Sequence, residues 1–360
     1  MRTQRREMMN EAIIKEIMQG NLKLAKAFNL TANPHSINSE TTEYDVVFEY
    51  NKMRLLRFKP LAKKGFRTPL LMVYAVINKP YILDLQEDRS VVRKFLEKGF
   101  DVYLIDWGSP SDADKFTCLD DYINFYMRYA VDHICKENSC TQISLLGYCI
   151  GGYFSTIFSS LYPKRVKNLI IMSAPIDFNV KGGPLHVWTQ KDIFDVSRFT
   201  EAYGNCTPDI LNNGFMLLNP MENTYLKYLG LVEKVDDKDY VDNFFRMEKW
   251  NNDGISIPAR FFVEWIQDGY QGNKLVKGEL MVAGKPVSLK KITMPLLLIV
   301  GTSDNLVPPD STLGLLPHVK SKDTKVFENP SGHIGISVGR KAHKVMWPEV
   351  IEWLAKHSEK

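Results

Sequence analysis

Gln142-Ile143-Ser144-Leu145-Leu146-Gly147-Tyr148-Cys149-Ile150-Gly151-Gly152 passes from an apolar run into a glycine-flanked turn, and YFSTIFSSLY (Tyr153 to Tyr162) resumes with a helical apolar face. Strand, sharp turn and helix form the setting that the G-x-S-x-G pattern needs, here with cysteine in place of serine. Such a turn strains its central residue, so Cys149 is presented at a sheet edge. Small glycines let the helix lie close to the strand. The helix start supplies positive potential and a free N–H at Ile150, one donor for an oxyanion. A cysteine is more often a small buried hydrophobe than a nucleophile. The strand-turn-helix context assigns Cys149 to chemistry.

Outward from this turn the chain alternates. Apolar runs at Pro69 to Tyr74, Asp101 to Asp106, Lys167 to Ser173, Pro295 to Gly301 and Thr324 to Glu328 are separated in several places by amphipathic helical segments such as SVVRKFLEKG and DDYINFYMRYAVDHI. Short apolar strands between helices specify a mainly parallel sheet covered on both faces, an α/β fold. YDVVFEYNKMRLLRF (Tyr44 to Phe58) reads as two further strands turning at Asn51 and Lys52. From Asp177 to Lys290 the alternation stops in a stretch rich in aromatics, Met and Asn. A structureless loop of that length does not suit a compact domain, so it reads as an inserted, largely helical cap. The expected organisation is an N-terminal helical segment (1–40), a first part of the core (41–176), the cap (177–290) and a second part of the core (291–360).

Two more loops follow strands in the order that matters. Thr302-Ser303-Asp304-Asn305 comes after PLLLIVG, and Ser331-Gly332-His333-Ile334 comes after TKVFE. Nucleophile, acid, histidine is the α/β-hydrolase order. An aspartate after a strand is usually a helix cap and a lone histidine usually surface or satisfied core. Together with Cys149 they are specific. His333 is expected to take the thiol proton, and Asp304 to hold the imidazole tautomer and stabilise its charged form. The second oxyanion donor is expected in Ala75-Val76-Ile77, with the N–H of Val76 chosen. The remaining histidines, including His35, lack such a setting.

Composition narrows the class. A net charge of +4 with scattered Lys and Arg excludes a nucleic-acid tract. No stretch is long and apolar enough to span a bilayer, and no unbroken apolar segment follows the charged N-terminus. Five cysteines without paired ligand spacing imply neither a metal site nor a disulfide scaffold. A reduced cytosolic protein without cofactor is expected. Residues 10 to 30 carry Ile13, Ile14, Ile17, Met18, Leu22, Ala25 and Phe28 at helical period, weakened at Gly20. Packing on the chain's own core is the favoured reading for this helix, ahead of a partner or granule surface.

Beyond the triad, VYAVINKPYILDLQEDRS (Val73 to Ser90), YLIDWGSP, LDDYI, GYCIGG, MEKWNNDGISIP, FVEWIQDGYQGNKLVKGEL, GTSDNLVPP and SGHIGI resemble the corresponding stretches of polyhydroxyalkanoate synthases, from Val73 almost to the C-terminus. The short chain is similar to the catalytic subunit of the two-subunit class III enzymes, with class IV the close alternative. The resemblance implies that an (R)-3-hydroxyacyl coenzyme A acylates Cys149, that a hydroxyl group attacks the thioester to extend a polyester, and that His333, partnered by Asp304, activates both. It also implies a companion helical subunit, a homodimer, a place at the surface of cytoplasmic polyester granules, and short substrates of about four to five carbons, set by steric exclusion because each buried methylene adds only about 0.8 kcal/mol. Tyr148 and Ile150 stand where the family often has a small aliphatic residue and a glutamine.

The thiol has its own rationale. Transfer from a coenzyme A thioester to Cys149 exchanges one thioester for another and keeps the acyl group activated. The aromatic cap keeps water from the acyl enzyme on this reading. Its Trp250, Phe261, Phe262, Trp265 and Tyr270 are expected as cap core rather than substrate contacts. Within it Asp253 is expected to be solvated or paired, and Arg260 is the candidate for a coenzyme A phosphate. Fold and triad also serve a cysteine hydrolase of the dienelactone hydrolase or thioesterase type. A catalytically silent granule-coating protein is the reading from a different class.

Overall fold

The computed structural model of the chain describes residues 2–32, 41–180 and 183–359. His35 lies outside the described residues, and so does residue 40 on one side of the expected boundary between 40 and 41. After helix α1 (Arg2–Ala32), β1 (Tyr44–Tyr50) and β2 (Met53–Phe58) form the expected antiparallel hairpin, turning through Asn51 at a φ of 52°. Then come β3 (Leu70–Val73), α2 (Val91–Glu97), β4 (Val102–Asp106), α3 (Arg128–Glu137), β5 (Ile143–Tyr148), α4 (Ile150–Leu161) and β6 (Val166–Met172). The C-terminal part adds β9 (Leu296–Gly301), α12 (Pro309–Leu313), β10 (Thr324–Asn329), α13 (Gly335–Val338) and α14 (Trp347–Lys356).

The sheet order is β1-β2-β4-β3-β5-β6-β9-β10. β2 pairs antiparallel with both β1 and β4, and the remaining pairs are parallel. This is an α/β-hydrolase fold. Every residue of β3, β4, β5 and β9 is buried, as strands covered on both faces must be. Each large aliphatic side chain so removed from water contributes about 1.5–3 kcal/mol.

Between β6 and β9 the chain is mainly helical: α5 (Pro184–Trp188), α6 (Val196–Tyr203), α7 (Pro208–Leu218), α8 (Lys227–Glu233), α9 (Lys238–Asn252), α10 (Ala259–Glu264) and α11 (Lys274–Lys277). The paired two-residue strands β7 (Met281–Val282) and β8 (Lys285–Pro286) follow. An isolated bridge from Asn78 to Gly254 ties these helices to the loop after β3. Trp250 Nε1 donates to Lys79 O at 2.8 Å across the same seam.

The favoured reading of α1 is corrected. Near its C-terminal end Ala27 and Leu30 pack against Leu231, Val235, Val241 and Phe244, and Lys26 pairs with Asp236 at 2.7 Å. Ile13, Ile14, Ile17, Met18, Leu22 and Phe28 are exposed. Helical period identifies an apolar face without identifying its cover.

α4 is buried almost throughout despite its hydroxyls. Ser155, Thr156, Ser159 and Ser160 each donate to the carbonyl four residues back, at 2.7–3.0 Å, so no polar group is stranded. The helix lies so close to the sheet that a Cβ on Gly151 would stand 2.1 Å from Val73 O, and one on Gly152 2.4 Å from Ala174 Cβ. Both obstacles are fixed by the sheet and its connections. Gly151→Ala should therefore destabilise the protein by about 3 kcal/mol, read as a lower urea midpoint at unchanged slope. A wild-type midpoint would show that α4 has room to shift.

Candidate active site

Cys149 stands between β5 and α4 with φ 58° and ψ −128°, a conformation costing a non-glycine residue about 1–3 kcal/mol. Its surroundings over-determine it. Cys149 N–H donates to Met172 O at 3.0 Å, and its carbonyl accepts from Gly152 N–H at 2.8 Å. The turn that the sequence pattern called for is thus formed by the strand and helix expected to form it.

The loops after β9 and β10 meet this turn. Asp304 Oδ2 accepts from His333 Nδ1 at 2.7 Å, while Oδ1 accepts from the backbone N–H groups of Leu306 and Val307 at 3.0 and 2.8 Å. Both residues are buried. A carboxylate only accepts, so Nδ1 carries the proton and Nε2 is left for the sulfur. Nε2 has no fully formed hydrogen bond among the described residues, yet the Cys149 sulfur is close enough to influence the ring's charge. Loose catalytic geometry of this kind is usual before substrate arrives. Burial alone would push the His333 imidazolium down; the charges of Asp304 and Cys149, with their hydrogen bonds, outweigh it and raise the pKa from 6.5 to about 10.

Tyr148 joins the Cys149 turn to the His333 loop. Its fully buried hydroxyl donates to His333 O at 2.7 Å, and its ring lies 5.3 Å from the imidazole. Burial above all holds this phenol, and that of Tyr74 beside it, well above the ordinary range and protonated.

Cys149 opens into two cavities. One of 490 Å³ is also lined by His333 and by Asn78, Asn212, Asn223, Asn251 and Asn252. The Lys227–Glu248 ion pair, at 2.9 Å, sits in its wall. The other, of 170 Å³, is walled by apolar side chains that include Ile77, Ile150, Leu211, Phe262 and Trp265. The larger cavity is the more polar, with these groups set among Tyr74, Ile77, Met216 and Leu218, and Cys149 borders both.

The chain matches the α/β hydrolase fold over residues 69–339 and the poly-beta-hydroxybutyrate polymerase (PhaC) N-terminus over residues 11–95. It is 38% identical to the poly(3-hydroxyalkanoate) polymerase subunit PhaC of Thiocystis violacea, across 97% of this chain and 98% of that one. The chain belongs to the poly(3-hydroxyalkanoate) polymerase family. The subunit of the same name from Haloferax mediterranei is 44% identical over 88% of this chain, which spans 65% of that relative's length. Members of this polymerase family are acyltransferase-type enzymes. Among solved structures, a soluble variant of monoglyceride lipase from Saccharomyces cerevisiae, in complex with a substrate analog, superposes with a TM-score of 0.58. At 14% identity over 91% of this chain and all of that one, it shows the shared fold alone.

Other expected residues of this family member fall less simply. Ile150 lines the apolar cavity and Val76 is buried behind Ile77, which lines both cavities. Among the described residues neither the Ile150 nor the Val76 N–H donates to a protein acceptor. Arg260 lines neither cavity; its side chain is 61% exposed and lies 3.5 Å from Glu264. Asp253 is paired, accepting from Tyr81 and from Lys249. Phe261 is core, but Phe262, Trp265 and Tyr270 line the apolar cavity and Trp250 the polar one. The reading of these aromatics as core is therefore incomplete: each of the four is packed on one side and faces a cavity on the other. Sequence reasoning missed the role of Tyr148, although its departure from the family pattern marked the position. It also missed the asparagines, whose abundance between residues 177 and 290 was the available signal.

Two tests follow from the geometry. Tyr148→Phe strips the His333 carbonyl of a buried donor and should cost about 1–3 kcal/mol of stability, measured by chemical denaturation; no change would mean another group satisfies that carbonyl. The raised His333 pKa stabilises the fold fully below the ordinary 6.5, and that contribution is lost as pH rises through about 10. Wild type should therefore lose stability across that window relative to Asp304→Asn, and parallel profiles would refute the coupling.

Proposed function

We propose that this chain polymerises short (R)-3-hydroxyacyl coenzyme A into polyester through an acyl group carried on Cys149. The observation that carries the reading is the strained Cys149 turn at the junction of a polar and an apolar cavity, with the buried His333–Asp304 pair beside it. His333 takes the Cys149 proton, and the thiolate attacks the thioester carbonyl. The negative oxygen is met by the N–H of Ile150 and that of Val76. The sulfur of coenzyme A leaves with the proton from His333, so one thioester replaces another. A hydroxyl then gives its proton to Nε2 and attacks the acyl carbon, an ester forms, and the Cys149 sulfur is released.

The polar cavity suits the amide-rich arm of coenzyme A and the apolar cavity the acyl side chain. Arg260 is not needed at the phosphates on this reading, because it lies away from both cavities. The exposed apolar residues of α1 support a partner there, a helical companion subunit or a second copy of this chain. Work at the surface of polyester granules inside the cytoplasm fits the same reading. Among the described residues no helix is long and apolar enough to cross a membrane.

Purified protein incubated with labelled (R)-3-hydroxybutyryl coenzyme A should form polymer and carry label on Cys149. Free acid without polymer would favour the hydrolase reading, and no label from any short acyl thioester the silent one. Cys149→Ala should lose label and polymer while remaining folded. His333→Ala should cost more turnover than Asp304→Ala, since the latter keeps a base that is only mispositioned. Wild-type turnover in either variant would remove that residue from the mechanism.

A further inference from the structure

Glycine in the interior of a helix is a poor choice unless something requires it. Among the described glycines, most have a positive φ or a neighbouring atom that would crowd a Cβ; Gly65, Gly183 and Gly332 would meet only ordinary contacts, and Gly20 and Gly214 open space. Gly20 belongs to the exposed part of α1. Gly214 is different, because it lies mid-way along α7 and lines the apolar cavity into which Cys149 opens.

α7 forms the wall between the two cavities. Leu211, Gly214, Phe215 and Leu218 share one face at the helical spacing i, i+3, i+4, i+7. Leu211 lines the apolar cavity, Leu218 the polar one, and Phe215 both. Gly214 is the one gap in this otherwise apolar face. No backbone conformation and no crowding accounts for the gap, so what it provides is space.

That space exceeds the need of the smallest substrate. A 3-hydroxybutyryl group has one methyl beyond its hydroxyl-bearing carbon, whereas the apolar cavity holds 170 Å³, more than a cavity of about 150 Å³ that accepts benzene. We propose that Gly214 sets the depth of the acyl pocket and so determines the longest side chain the enzyme accepts, admitting six-carbon hydroxyacyl groups alongside four-carbon ones. The proposal rests on the reading that Cys149 carries the acyl group. The limit is steric: a side chain at 214 removes room without adding a charge or a hydrogen bond.

The test uses the full chain with Gly214→Ala and Gly214→Val, and reads acylation of Cys149 by (R)-3-hydroxybutyryl and (R)-3-hydroxyhexanoyl coenzyme A, each as kcat/KM. The six-to-four-carbon ratio should fall with side-chain size. The expected fall is about fourfold for each methylene shut out, or about fifteenfold for the two that distinguish these substrates. Gly214→Ala should also raise the melting temperature, by about 2 °C, because alanine favours the helix and meets nothing. This keeps the test open should the valine variant fold poorly. A wild type labelled by both substrates and variants with an unchanged ratio would overturn the role of Gly214 alone. Equal losses on both substrates would overturn it as well, since they report general damage to α7. A wild type labelled by neither would sink the acyl-enzyme reading and this proposal with it.

Discussion

The approach of α4 to the sheet constrains everything at this site. With Gly151 against the Val73 carbonyl and Gly152 against Ala174, the helix cannot retreat without opening a void in a fully buried layer. The turn feeding it must then reverse within one residue, and Cys149 takes the unfavourable φ that this reversal demands. The strain is sustained by burial on both sides and by the two backbone hydrogen bonds that Cys149 makes to Met172 and Gly152. From that fixed sulfur the ends of β9 and β10 are the nearest places for an acid and a base, because parallel strands bring their carboxyl ends to one edge.

The legible parts of the sequence were those governed by local rules. Runs such as LLLIV and SLLG are unbroken apolar strands, so the loops after them could be placed at the sheet edge and Asp304 and His333 matched to Cys149. The hairpin at Asn51 was equally plain. The illegible parts depend on how distant segments meet. Asn78, Asn212 and Asn251 reach one cavity from the loop after β3 and from two separate helices, and abundance alone does not say which asparagines will meet. Arg260 had the right chemistry for a phosphate, but a helical position does not reveal the direction in which the side chain points. α1 shows the same limit in another form, since its period predicted a helix and gave no sign of which surface would cover it.

The two cavities differ in how they are made. The larger one sets side-chain amides and an ion pair among apolar groups, and Asn78, Asn212, Asn223 and Asn252 donate to backbone carbonyls. The apolar wall is built from aromatics that pack their outer faces into the helices between β6 and β9. The acyl side of the site is consequently part of the hydrophobic core of that region, and its shape is set by the same packing that stabilises the helices.

The hydroxyl of Tyr148 gives this division a mechanical meaning. By donating to the His333 carbonyl from the residue before Cys149, it joins the histidine loop to the end of β5. The helices between β6 and β9 lie over that join and are tied to the loop after β3 through contacts of their own, among them the Trp250 to Lys79 hydrogen bond. Pulling the His333 loop away from the sheet would therefore first have to break a bond that water cannot reach.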